Sequence, residues 1–164
     1  MVATVSVEEI ANGRWPGGDR QAAFEEWMNG SGNVSRLVAP QMTWEVFGRS
    51  ATSGRYESAA EFATKVLVPM DKRFVDSDPM RPTKIRAVYA DGPTVIVIWD
   101  GGGTTVLGTR YDNTYVWIWT LDQGVVVEAT AFYDAISFDE MWRSLQTTMR
   151  VHPQLFLASS LNDE

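Results

Sequence analysis

The chain of 164 residues is long enough for one domain with a sizeable core. It is 45% hydrophobic, carries a formal net charge of −7 and has no cysteine, which excludes disulfides, thiolate metal sites and a cysteine nucleophile. Its 14 basic residues are scattered, which argues against nucleic acid, and no run approaches the ~20 apolar residues of a membrane span.

Met1 to Ile10 carry acidic residues and no long apolar run, unlike a secretory leader, so a cytoplasmic location is the expectation. Gly and Pro punctuate residues 11–18, and residues 1–18 read as an N-terminal arm. Helical character begins near Asp19, a candidate N-cap, with Phe24, Trp27 and Met28 on one stripe. Gly30 to Asn33 end that helix. A short second helix is expected over Val34 to Ala39, stopping at Pro40. Met42 to Phe47 read as a strand closed by Gly48, and residues 49–57 as a polar loop. Ser58 and Glu61 have capping-box spacing, in which the serine caps a free N–H and the glutamate returns to the cap's own N–H. The helix they open carries Phe62, Val66 and Met70 on one side, with a kink or stop at Pro69.

The second half is strand-rich. Lys84 to Ala90 and Thr94 to Trp99 flank an Asp91-Gly92 turn, and Asp100 precedes the glycines 101–103, read as a flexible turn. Thr105 to Leu107 and Tyr111 to Leu121 read as one long strand with a bulge at Gly108. Asp122 to Gly124 form a hairpin turn, and Val125 to Tyr133 pair back. A second capping box, Ser137 to Glu140, opens a last helix. Residues 19–150 form the domain and 151–164 a tail that holds His152, the sole histidine. The order is α-α-β-α-β-β-β-β-α, an α+β chain. The strand from Tyr115 to Trp119 is apolar on both faces, so one face needs a second partner, and a homodimer is the simplest.

The order of elements, the strand Tyr111 to Trp119, the turn ending at Gly124 and the run Val125 to Asp134 resemble the SnoaL-like branch of the nuclear-transport-factor-2-like superfamily. That superfamily includes ketosteroid isomerases, polyketide cyclases and limonene-epoxide hydrolases. The resemblance covers about residues 19–145 and implies a cone: a strongly curved antiparallel sheet wrapped around helices, with an internal pocket. It implies a small apolar organic ligand and points to no cofactor. Isomerase-type members carry a carboxylate base on the first strand, before a Gly and a Ser-Gly loop. Glu45 falls there, before Gly48 and Ser53-Gly54. Epoxide hydrolases carry an Arg-x-Asp pair and a second Asp; here Asp100 matches the first Asp, Ile98 replaces the Arg and Ala131 the second Asp. Val116 stands near the isomerase partner acid.

Glu45 and Asp100 are therefore the candidate proton-transfer groups. A carboxylate facing an apolar pocket has a raised pKa and serves as acid or base near neutrality. Trp44, Phe47, Phe62, Val66, Ile98, Trp99, Asn113, Val116 and Ala131 are the candidate ligand contacts. Two alternatives stand beside this reading. Glu45 points to solvent if Trp44 points inward, since alternate strand residues face opposite sides, and Asp100 caps a turn before Gly. If Val116 faces the pocket, Tyr115, Trp117 and Trp119 face the dimer contact. The lone His152 cannot build a multi-histidine metal site. The expected activity is acid/base isomerisation, cyclisation, dehydration or hydrolysis, against a binding domain of the same shape that does no chemistry.

Overall fold

The computed structural model describes residues 4–5 and 20–151. The arm beyond that pair, Asp19, the tail and His152 lie outside the described residues. Helix α1 (Gln21–Met28) is followed by a single 3-10 turn, Val34–Arg36, and then by strand β2 (Val38–Val46), preceded in the chain by β1 (Thr4–Val5). The expected second helix is thus only a turn. Asn33 caps it by accepting from the Ser35 amide, and Val38 to Pro40 already belong to β2.

The loop 49–57 holds a short strand, β3 (Gly54–Tyr56), which pairs antiparallel with β2 and places Trp44 opposite Tyr56. Ser58 caps helix α2 (Ala59–Phe62) by accepting from the Glu61 amide. The Glu61 carboxylate returns not to the cap residue but to the Glu57 amide before it. A π-turn, Ala63–Leu67, joins α2 to α3 (Val68–Asp71), in which Pro69 lies in the first turn. A residue without an N–H is tolerated there, because first-turn amides lack helical acceptors anyway.

Strands β4 (Arg81–Asp91), β5 (Thr94–Thr104), β6 (Arg110–Asp122) and β7 (Val125–Tyr133) form an antiparallel meander. The curved, unclosed sheet has the order β1-β4-β5-β6-β7-β2-β3. The antiparallel expectation fails at one seam, since β2 lies parallel to β7. The glycines 101–103 are buried in β5, not in a turn, and Thr105 to Gly108 form the turn before β6. Helix α4 (Ala135–Val151) starts before the second expected capping box: the Asp134 carboxylate accepts from the Ile136 amide and caps it.

Alternation divides the sheet cleanly. Trp44, Val97, Trp99, Tyr115, Trp117, Trp119, Ala129 and Ala131 face inward and are buried with Phe24 and Trp27 of α1 and Phe62 of α2. The Trp27 ring stacks on Trp117 and meets the edge of Trp99. The expectation that Tyr115, Trp117 and Trp119 face a dimer contact is therefore corrected. The helices cover that face, and Val116 and Ile118 face outward. A second cluster, Met70, Phe74, Tyr111, Phe138, Met141 and Trp142, anchors α4 at one end of the sheet. No helix among the described residues is long and apolar enough to cross a membrane.

Candidate functional site

Between the inner face of the sheet and the helices lies a cavity of about 300 Å³. Its apolar wall is made by Trp27, Trp44, Phe62, Trp99 and Trp117, joined by Val66, Leu67 and Met70 from the π-turn and α3. Trp44 stacks on Phe62 at 4.1 Å with 5° between planes, and Trp99 stacks on Tyr115 at 4.4 Å. Such stacking fixes the wall, because each ring is held by its neighbours rather than by the occupant.

One end of the wall is polar. The Tyr133 hydroxyl bonds to Ser50 Oγ at 2.7 Å and to Thr52 Oγ1, and the Tyr56 hydroxyl donates to the Thr52 carbonyl. The Tyr115 hydroxyl pairs with that of Tyr111 at 2.8 Å, and Asn113 Nδ2 donates to Tyr111. Burial pushes the Tyr111 hydroxyl up to about 12 and that of Tyr115 well above the usual range, so both stay protonated at neutral pH.

Asp71 supplies the only carboxylate among the described lining residues, and Arg81 the only cation. Asp71 ends α3 at the cavity rim, brought there by the π-turn that precedes it. The residue is exposed at that rim, yet its surroundings partly desolvate the carboxyl and hold it above the usual carboxylate range. π-turns inserted in helices recur at functional sites, and this one carries Val66 and Leu67 onto the wall. Sequence reasoning missed Asp71. The visible signal was Pro69 in a helical pattern, which marks an irregular helix but not the direction of the acid that follows.

The expected contacts divide. Trp44, Phe62, Val66, Trp99 and Ala131 line the cavity. Phe47, Ile98 and Val116 do not, because they sit on the opposite sheet face; Phe47 is exposed and packs edge-on to Phe132. Asn113 is buried but is spent on structure. Its side chain bonds Tyr111, the Asp134 carbonyl and the Asp134 amide, tying β6 to the start of α4.

The two expected acids also lie outside. Glu45 alternates with the buried Trp44, so it points to the outer face, opposite Arg55 of β3. Asp100 alternates with Trp99 and accepts from Arg86 and from Thr114, each on its first carboxylate oxygen, at 2.7 and 2.8 Å. The Arg86 bond and charge hold its carboxyl below the usual range, the opposite of a poised acid. The outward alternative for Glu45 is the observed one. Among the described residues no group of His, Asp and Glu is arranged to hold a metal ion.

No family model matches the chain. No curated protein matches it. Solved structures do. An NTF2-like protein from Burkholderia thailandensis is 21% identical, with 73% of this chain and 92% of that chain covered at a TM-score of 0.58. A Xanthomonas campestris protein of unknown function with a cystatin-like fold is 16% identical over 74% and 95% of the two chains, TM-score 0.59. The fold is NTF2-like. The NTF2-like cone also matches TerC co-crystallized with polyporic acid, at 20% identity over 67% and 83% of the chains and a TM-score of 0.54. At these identities the likeness reaches the fold and not the chemistry.

Proposed function

We propose that the NTF2-like cone of this chain binds a small, flat, apolar organic molecule and moves a proton on it through Asp71. The observation that carries the proposal is the one carboxylate among the described lining residues, that of the exposed Asp71 at the rim of an aromatic cavity, which its partly desolvating surroundings hold above the usual range. A carboxylate so placed takes a proton from carbon beside a carbonyl and returns it at another position, which is an isomerisation needing no redox partner. The TerC structure with polyporic acid, on the same fold, supports an organic ligand of this kind. On this reading, which keeps the expected SnoaL-like type of acid/base chemistry as a proposal, Asp71 takes the part expected of Glu45 and Asp100.

A second reading, binding without chemistry, is favoured by the hydroxyls. Those of Tyr115 and Tyr133 are already engaged by protein groups. Thermal-shift screening of planar aromatics, followed by product analysis with Asp71→Asn, separates the readings. A ligand at a hundredfold excess over its Kd stabilises by ~2.7 kcal/mol. A ligand that is bound but never converted, by either protein, removes the enzyme and leaves the binding domain.

The proposal extends to a homodimer through the outer sheet face. Ile96, Ile98, Val116 and Ile118 make a half-buried patch there, bordered by the exposed Phe47 and Phe132. Apolar faces of this kind are commonly covered by a second copy.

A further inference from the structure

Arg73 follows Asp71 by two residues and is 7% exposed, yet no carboxylate among the described residues pairs with it. A cation is costly to bury, and bonds to fixed dipoles must offset the lost water. The guanidinium finds them on two elements. Nη1 donates to the Pro69 carbonyl of α3, and Nε and Nη2 donate to the Trp142 carbonyl of α4 at 3.4 and 3.3 Å. The group also lies 3.7 Å from the centre of the Trp142 ring, a cation–π contact.

The Pro69 bond arises because α3 ends early. The Arg73 amide turns back to the Met70 carbonyl at 2.9 Å, so the Pro69 carbonyl loses the amide that a continuing helix would bring. The Arg73 side chain supplies the missing donor. The Arg73 carbonyl accepts from the Val106 amide in the turn before β6, and the Phe74 amide donates to the Asp71 carbonyl. One residue thus joins α3, α4 and the sheet. With four residues and a π-turn before it, α3 has too few bonds of its own to hold a direction.

We infer that Arg73 is the positioning residue for Asp71: it ties the last turn of α3 to α4 and so keeps the carboxylate at the cavity rim. The inference rests on the Asp71 reading. Met70 and Asp71, which both line the cavity, belong to the turn that Arg73 closes. Lysine cannot replace it, because a single ammonium lacks the planar fork that reaches two carbonyls and lies on a ring.

The test follows the Asp71 carboxyl through a pH titration by NMR of ¹³C-aspartate-labelled protein, its signal assigned by its loss in Asp71→Asn. Desolvation raises the Asp71 pKa, and no charge among the described residues adds to it. Two roles of Arg73 therefore differ in sign. Removal of a merely nearby cation would raise Asp71 further, whereas release of α3 lets more water reach the carboxyl and lowers it. Arg73→Met and Arg73→Lys should both bring Asp71 down to the ordinary aspartate range. Asn113→Ala, which loosens the start of α4 and leaves the Arg73 bonds in place, should leave Asp71 raised. An unchanged or higher value in the Arg73 variants would overturn the inference and leave the Asp71 reading standing. An equal fall in Asn113→Ala would overturn it too, since any loosening of α4 would then suffice. An ordinary value already in the wild type would overturn the Asp71 reading as well. If Arg73→Met does not fold, Arg73→Lys, which keeps the charge, decides on the same signal.

Discussion

The six-membered ring of Trp99 lies over Gly101, inside the space that a side-chain carbon at position 101 would need. The Met80 methyl group stands 2.7 Å from the same point. Gly101 is therefore a gap in β5 that admits the cavity wall. Gly101→Ala should displace Trp99 or Met80, cost roughly 1–3 kcal/mol by overpacking and weaken any ligand of the cavity. Urea denaturation read by near-UV circular dichroism checks both the loss and the altered tryptophan environment.

Asp71 gives a prediction with a sign in pH. Its folded-state pKa is raised, so the folded chain holds a proton that the unfolded chain has released. Stability from this group is present below the ordinary carboxylate range and is lost as pH rises through the raised value. Asp71→Asn should therefore leave the protein at least as stable at neutral pH, and remove turnover. For the wild type, kcat/KM should climb on an acid limb lying above the ordinary aspartate range. A pH–rate profile without that limb would take proton transfer away from Asp71.

For Asp100 the sign is reversed. Its pKa is depressed by the Arg86 bond, so its contribution is present above the ordinary range and fades as pH falls through the depressed value. The partner Arg86 is half exposed, so solvent screens the pair and keeps its contribution small. Asp100→Asn and Glu45→Gln should each leave ligand affinity and turnover unchanged. A hundredfold loss in either would return these acids to the chemistry.

Asn113 should matter for stability more than its polar character suggests. Asn113→Ala removes at once one bond to the buried Tyr111 hydroxyl, which keeps Tyr115, and the bonds to both backbone groups of Asp134. The expected cost is about 1–3 kcal/mol, with hydrogen exchange accelerated first at the start of α4.

The outer face is tested by charge. Ile98 and Val116 are direct neighbours across β5 and β6. The double change Ile98→Lys and Val116→Lys should halve the mass seen in sedimentation equilibrium without altering the far-UV spectrum. An unchanged mass would show that the patch is not the contact.

Much of the fold was legible because two periods were clear. Alternation from Tyr111 to Leu121, the hairpin at Gly124 and the serine cap at 58 each obey a local rule, and each stands in the structure. The facing of that alternation was not local. Every residue of Tyr115 to Trp119 is apolar, so sequence supplies two candidate inner faces, and only the packing of Trp27 and Phe62 decides between them. The same decision carried Val116, Ile98, Glu45 and Asp100 outward together. Asp71 escaped for another reason: a π-turn changes the helical phase, so spacing counted at the ordinary period does not show which way it turns.

The parallel seam between β2 and β7 has a consequence for how the chain is made. Residues 43–46 pair with 128–131, far along the chain. During synthesis one edge of β2 waits, unpaired, until residues about 85 positions later have been made. Such distant pairing slows folding and leaves a strand edge open to wrong partners meanwhile. Ala131 and Tyr133, which close one side of the cavity, arrive with that same last strand. The cavity is thus formed only once β7 has docked on β2.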